Sequence, residues 1–232
     1  MSMISTQKTI AEWVLDHSEC ASVFQRHHID FCCRGHLTVD EACDQKGLNP
    51  KTILEDLNRA IAERQGGPSV DYRTLSTVAL IAHIIQTHHE YLRKTLPFLR
   101  PLASKVARVH GDTNANLHEL ELIVFELVET LLPHLDAEEQ ELFPLLMTKN
   151  PDKSLVDSQF TLMAEDHLLV GELLARMRKT TNQFRLPQAA CNSYRTLFSE
   201  LEQLEGDILR HVHLENHVLM PRFVSTSTPL SH

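Results

Sequence analysis

The 232-residue sequence is poor in glycine (7), in tryptophan (1) and in aromatic side chains as a group (6%). That scarcity disfavours turn-dense sheet architectures and favours helix. No run of eighteen apolar residues occurs, so a membrane-spanning helix is not expected. The opening stretch, Met1 to His17, lacks a basic segment followed by an apolar one, so no secretory signal is expected. Basic residues are outnumbered, 22 Lys+Arg against 31 Asp+Glu for a formal net charge of −9, which argues against nucleic acid or an anionic membrane as partner. There is no glycine-rich phosphate loop and no G-x-S-x-G nucleophile elbow. The 5 cysteines are odd in number and form no C-x-x-C, which excludes a disulfide framework and a zinc ribbon and points to a reducing cytoplasm. Cys20, Cys43 and Cys191 read as small buried hydrophobes. What the chain has in excess is histidine: 15 residues, more than Lys or Arg taken singly. Imidazole is the commonest metal ligand.

Residues 1–66 carry short apolar-periodic pieces separated by turn signals at Asp30, Gly35, Gly47 and Asn49-Pro50, the pattern of a small helical domain. Gln65-Gly66-Gly67-Pro68-Ser69 cannot continue a helix and reads as a linker. From residue 70 to 224 the periodicity is helical throughout, in four segments near 74–108, 114–148, 154–182 and 188–221. Short connections make sequential helices antiparallel, so the expected fold is all-α, an up-down-up-down four-helix bundle preceded by a small helical domain. Residues 225–232 read as a Ser/Thr-rich flexible tail. A bundle of this size buries enough surface to fold without a metal, so a metal site in it has to be read for function.

The bundle is internally duplicated. At an offset of 77, Leu120, Val124, Leu127, Leu131, His134, Glu138 and Leu142 fall on Leu197, Leu201, Leu204, Ile208, His211, Glu215 and Leu219. At an offset of 78, Ile85, His89, Leu92, Leu96 and Leu99 fall on Met163, His167, Val170, Leu174 and Met177. Alternating spacings of three and four mark the inward stripe of a bundle helix, which puts four histidines and two glutamates in the core. A lone histidine on such a stripe is most often a hydrogen-bonded core residue. Two buried glutamates matched to four histidines require a cation. The expected metal ligands are therefore His89, His134, Glu138, His167, His211 and Glu215. His88, His213 and His217 fall outside the set, and Asp166 and Glu139 are candidate acceptors for the imidazole N–H groups. Six ligands suit two metals, each with two N and two O donors, the glutamates bridging. Iron or manganese fits this set better than a closed four-coordinate zinc. Pro133, inside the second helix, predicts a kink.

The two His-x-x-x-Glu pairs, His134-Leu-Asp-Ala-Glu138 and His211-Val-His-Leu-Glu215, each followed by Leu-Phe-Pro or Leu-Met-Pro, resemble a hemerythrin-like di-iron bundle. Asp30-Phe31-Cys32-Cys33-Arg34-Gly35 resembles the signature of the small N-terminal domain of the iron–sulfur cluster repair proteins (the RIC, YtfE, ScdA, DnrN or NorA type). The resemblance implies two non-haem iron ions joined by an oxo or hydroxo bridge on the six residues above. It implies a cytoplasmic protein of nitric-oxide and oxidative-stress defence, a monomer or homodimer, with nitric oxide or another diatomic ligand and iron–sulfur client proteins as partners. Three roles stay open: iron supply for cluster repair, sensing or scavenging without turnover, and catalytic nitric oxide reduction, for which no catalytic residue can be named. Cys32 and Cys33 are candidate redox or transfer thiols; as sequence neighbours, their side chains are expected to diverge rather than chelate.

Overall fold

A computed structural model describes residues 7–64 and 70–224. The expected linker at Gln65–Ser69 and the tail from Ser225 lie outside the described residues. Contacts divide the chain into two compact units, one of Met1–Ser76 with Leu209–His232 and one of Thr77–Ile208.

In the first unit four short helices follow one another: α1 (Ile10–Asp16), α2 (Cys20–Arg26), α3 (Val39–Lys46) and α4 (Pro50–Ala62). Helices this short need their ends satisfied, and the sequence supplies the caps. Thr9 with Glu12, and Thr38 with Glu41, form two capping boxes. Gly47 closes α3 in the left-handed region at φ 64°, and Asn49 caps α4, which begins on Pro50. Ile10, Trp13, Val23, Phe24, Phe31, Val39, Ile53 and Leu57 are buried together, with Leu209 packed against them. The backbone of α1 is tied to the loop before α3 by Ile10 N–H to the Leu37 carbonyl (2.8 Å) and Ala11 N–H to the Gly35 carbonyl (2.9 Å).

The second unit is a bundle of long rods. The first joins α5 (Thr77–Ile84), a π turn (Ile85–His89) and α6 (Glu90–His110). The second joins α7 (Asn116–Ala137), a π turn (Glu138–Leu142) and α8 (Phe143–Leu146). The third is α9 (Lys153–Thr180), and the fourth starts as α10 (Asn192–Leu214). Rod α6 packs on α7 and α7 on α9, up-down-up-down through short connections. No strand occurs among the described residues. Pro133 lies within α7 without ending it; the departure from α geometry comes one turn later, at Glu138–Leu142. The fourth rod ends in a π turn (Glu215–Leu219) and a 3-10 turn (Met220–Arg222) that belong to the first unit.

The repeat stripe is the core. Leu120, Val124, Leu127, Leu131, Leu197, Leu201, Leu204, Ile208, Met163, Val170, Leu174 and Met177 are all buried. Ile85 is the exception and is only partly buried, because the π turn beginning there adds a residue and passes the buried face from Ile84 to His88 and His89.

Cys20 and Cys43 are buried, but Cys191 is exposed, which corrects its reading as a core residue. It sits just before α10, its Sγ 3.1 Å from His110 Nε2. The contact with His110 and the backbone N–H groups of Tyr194 and Ser193 hold its thiol below the usual range. In the native protein Cys191 should therefore be the first cysteine alkylated by iodoacetamide near neutral pH. Its rate should fall as pH drops through the lowered pKa and should slow several-fold in His110→Ala. Peptide mass spectrometry over a time course reads this, and prior labelling of Cys20 or Cys43 would contradict the packing described.

Candidate metal centre

Four candidate ligands, three histidines and a carboxylate, gather in the second unit. His89 closes the first π turn, and Glu138 opens the second, four residues after His134 on the same rod. His167 comes from the middle of α9, and one donor atom each of His134, Glu138 and His167 lies within 4.8 Å of the others. All four are buried, Glu138 at 2% exposure. A π turn adds one residue to a helical turn and re-aims the side chains it carries, and such turns cluster at functional sites.

The outer nitrogens of the rings fix their tautomers. His89 Nδ1 donates to Glu139 Oε1 at 2.9 Å, and His134 Nδ1 donates to Asp166 Oδ2 at 3.0 Å. A carboxylate only accepts, so in each neutral ring the proton is on Nδ1 and a lone pair is on Nε2. Those Nε2 atoms stand 3.5 Å (His89) and 3.4 Å (His134) from the same Oε2 of Glu138. Two ring nitrogens converging on one carboxylate oxygen in a buried site make a nitrogen and oxygen donor set that fits a metal ion. Glu139 is held in turn by Arg93 at 3.0 Å. Burial pushes the Glu139 carboxyl up, but the bonds from His89 and Arg93 outweigh it and hold it below the usual range. Phe143 stacks on the His89 ring, centroids 5.6 Å apart, and walls that side.

The first unit carries the other His-x-x-x-Glu pair. His211 Nε2 is 2.8 Å from Glu215 Oε1, and both are buried. Glu215, like Glu138, opens a π turn. Beyond this pair, sequence reasoning missed a set of contacts on the same rod. His213 Nδ1 donates to the Phe31 carbonyl (3.1 Å), and both Asn216 Nδ2 (3.1 Å) and His217 Nε2 (2.8 Å) donate to the Cys32 carbonyl. Burial, with His217 alongside, pushes His213 down to about 3, so it stays neutral as a donor. Cys32 and Cys33 do not diverge: their Sγ atoms are 3.5 Å apart, and Cys32 Sγ is 3.2 Å from Asp30 Oδ1. The Asp30 carboxylate folds the loop back by accepting the Cys32 and Cys33 N–H groups, which brings both thiols to one side. His88 is buried and pairs with Asp207 (2.9 Å).

Comparison with known proteins agrees with this arrangement. Residues 80–223 match the hemerythrin HHE cation binding domain, and residues 6–61 match the ScdA_N domain, described as a domain of unknown function. The iron–sulfur cluster repair protein ScdA of Staphylococcus haemolyticus is 33% identical over 223 residues, 95% of this chain and 100% of the relative. The chain belongs to the iron–sulfur cluster repair family of ScdA and YtfE. The iron–sulfur cluster repair protein YtfE of an Enterobacter species is 32% identical over 220 residues, 95% of this chain and 98% of the relative. A probable iron–sulfur cluster repair protein of Haemophilus influenzae is 31% identical over 230 residues, 96% and 99%. No described helix is long and apolar enough to cross a membrane.

Proposed function

We propose that His89, His134, His167, His211, Glu138 and Glu215 hold two iron ions as one centre, with the glutamates bridging, in a cytoplasmic protein that supplies iron for repair of damaged iron–sulfur clusters and binds nitric oxide. The observation that carries this reading is the pair of imidazole lone pairs aimed at one buried carboxylate oxygen of Glu138. The duplication supports the six as one set, since it pairs His134 and Glu138 with His211 and Glu215. The hemerythrin HHE match spans all six. On this reading residues 1–66 form the small domain and 70–224 the bundle domain.

Bound iron would supply a redox-active, exchangeable centre able to take a diatomic ligand. The chain's own part is to fix the ring tautomers through Glu139 and Asp166, to oppose the metal charge with two buried carboxylates, and to keep water out with Phe143 and the leucines of the stripe. Oxygen-only carriage fits less well, because the ligand set has two carboxylates and four histidines.

The test is the purified chain under anaerobic conditions. Close to two iron atoms per chain are expected, with new visible absorption when nitric oxide meets the reduced protein. Iron should then move to an iron–sulfur protein whose cluster has been damaged. One tightly held zinc per chain, or a reduced protein that ignores nitric oxide and carries oxygen reversibly, would sink the proposal.

A further inference from the structure

We infer that Asp30, Cys32 and Cys33 form a second metal site, separate from the histidine–glutamate centre, for a single thiophilic divalent ion such as Fe2+, Co2+ or Zn2+. One donor atom from each of the three lies within 4.8 Å of the other two. A tetrahedral ion with metal–sulfur bonds of about 2.3 Å holds two sulfurs about 3.7 Å apart. The 3.5 Å between Cys32 Sγ and Cys33 Sγ is close to that spacing without any change of backbone. Thiolates select soft and borderline ions, and a carboxylate beside them tolerates iron and zinc.

The loop is prepared for this role. The Asp30 carboxylate is fixed by two backbone N–H groups, at 3.0 and 2.8 Å, and receives the Cys32 S–H. The Cys32 carbonyl is gripped from behind by Asn216 and His217, and the Phe31 carbonyl by His213. Ligands locked by a surrounding set of hydrogen bonds need little reorganisation when an ion arrives. Cys32 is 3% exposed and Cys33 is half-buried, so the ion enters from the Cys33 side. On entry the two S–H bonds break, two protons leave to solvent, and two sulfur–metal bonds and one oxygen–metal bond form. No electron is transferred. Three protein ligands leave a fourth position open, which makes the ion exchangeable. The three gripping side chains lie on the rod that also carries His211 and Glu215. Use of the site as a stop for iron leaving the bundle rests on the function proposed above; the existence of the site does not.

The experiment titrates cobalt(II) into the full-length, reduced, iron-loaded chain without oxygen. One additional cobalt per chain is expected, with near-ultraviolet sulfur-to-cobalt charge-transfer absorption. The histidine–glutamate set contains no sulfur, so cobalt exchanged into it gives no such band. The band should vanish in Cys32→Ser/Cys33→Ser, persist with at least tenfold weaker binding in Asp30→Asn, and be unchanged in Cys191→Ser. The wild-type chain gives a check that needs no variant: bound cobalt should protect Cys32 and Cys33 from alkylation while leaving Cys191 reactive. A band that survives in the double-serine variant, a band lost with Cys191, or alkylation of Cys32 and Cys33 indifferent to cobalt would overturn the site. A bundle without iron would instead overturn the proposed function and leave this result standing.

Discussion

Glu138→Ala should purify with less than half the iron of the wild type. The Nε2 atoms of His89 and His134 face Glu138 Oε2 at 3.5 and 3.4 Å, so its loss removes the carboxylate on which two imidazoles converge. Glu215→Ala should behave alike, since Glu215 is fully buried beside His211 in the other His-x-x-x-Glu pair. Removing the iron from the wild-type chain should be costly too. Ions bound at a thousandfold excess over their dissociation constant add about 4 kcal/mol to stability, and for a chain of this length each kcal/mol moves Tm by about 2–4 °C. The stripped wild-type protein should therefore melt about 10 °C lower. The sign reverses for the variant. In the stripped state Glu138 is a buried carboxylate with no iron to oppose it, and replacing a buried carboxylate by a neutral group relieves a desolvation penalty. Stripped Glu138→Gln should melt at or above stripped wild type while failing to gain stability when iron is returned. His88→Ala is the control: its ring bonds Asp207, so iron content should stay at two. Iron assay and calorimetry with and without metal read the wild type and the four variants. Full iron in Glu138→Ala would refute the bridging role.

Periodicity made the bundle legible because the buried stripe is a local property of each helix. The spacing Leu120, Val124, Leu127, Leu131 recurs at Leu197, Leu201, Leu204, Ile208, and every one of these side chains is buried. The start of α4 was legible from Asn49-Pro50, where Asn49 caps the helix and Pro50 begins it. The π turns were not, because a π turn is a one-residue excess fixed by what the rod packs around. Its trace in the sequence is small: Ile85 on the stripe is only partly buried, and two adjacent histidines, His88 and His89, are both buried where a plain helix would bury one. The repeat places His89 rather than His88 among the ligands, and the Asp207 that His88 pairs with lies 119 residues away, beyond any local pattern. The approach of Cys32 to Cys33 was misjudged for a related reason. Adjacent side chains diverge on a regular backbone, but the Asp30 carboxylate caps both N–H groups and bends this one. Cys191 was misplaced because its apolar composition class says nothing of a position just outside a helix start, where the thiol meets the helix N–H groups and His110.

Gly35→Ala should cost the fold about 2–4 kcal/mol, and a thermal melt should fall by about 5–12 °C. A Cβ built on Gly35 would stand 2.6 Å from His217 Nε2, 2.7 Å from the Phe31 carbonyl oxygen and 2.8 Å from Ala11 Cβ. Only the first of these belongs to a side chain that can swing away. The other two are backbone and a Cβ, and α1 is drawn onto this loop by the hydrogen bonds from Ile10 and Ala11 to the carbonyls of Leu37 and Gly35. An added methyl must therefore break one of those bonds or push α1 off, in addition to displacing His217 from the Cys32 carbonyl. The same substitution at two other glycines should behave differently. Nothing lies within 4 Å of a Cβ at Gly47, but its φ of +64° strains any side chain, so Gly47→Ala should cost about 1 kcal/mol. Gly171, in the middle of α9, is open to a Cβ and has an ordinary helical backbone, so Gly171→Ala should raise stability by about 0.5–1 kcal/mol. Displaced His217 also loosens the thiol loop, so Cys32 should alkylate several-fold faster in Gly35→Ala than in the wild type, while Cys191 keeps its rate. A Gly35→Ala chain that melts with the wild type and protects Cys32 equally well would mean that α1, the loop at Gly35 and the rod carrying His217 do not meet as closely as described.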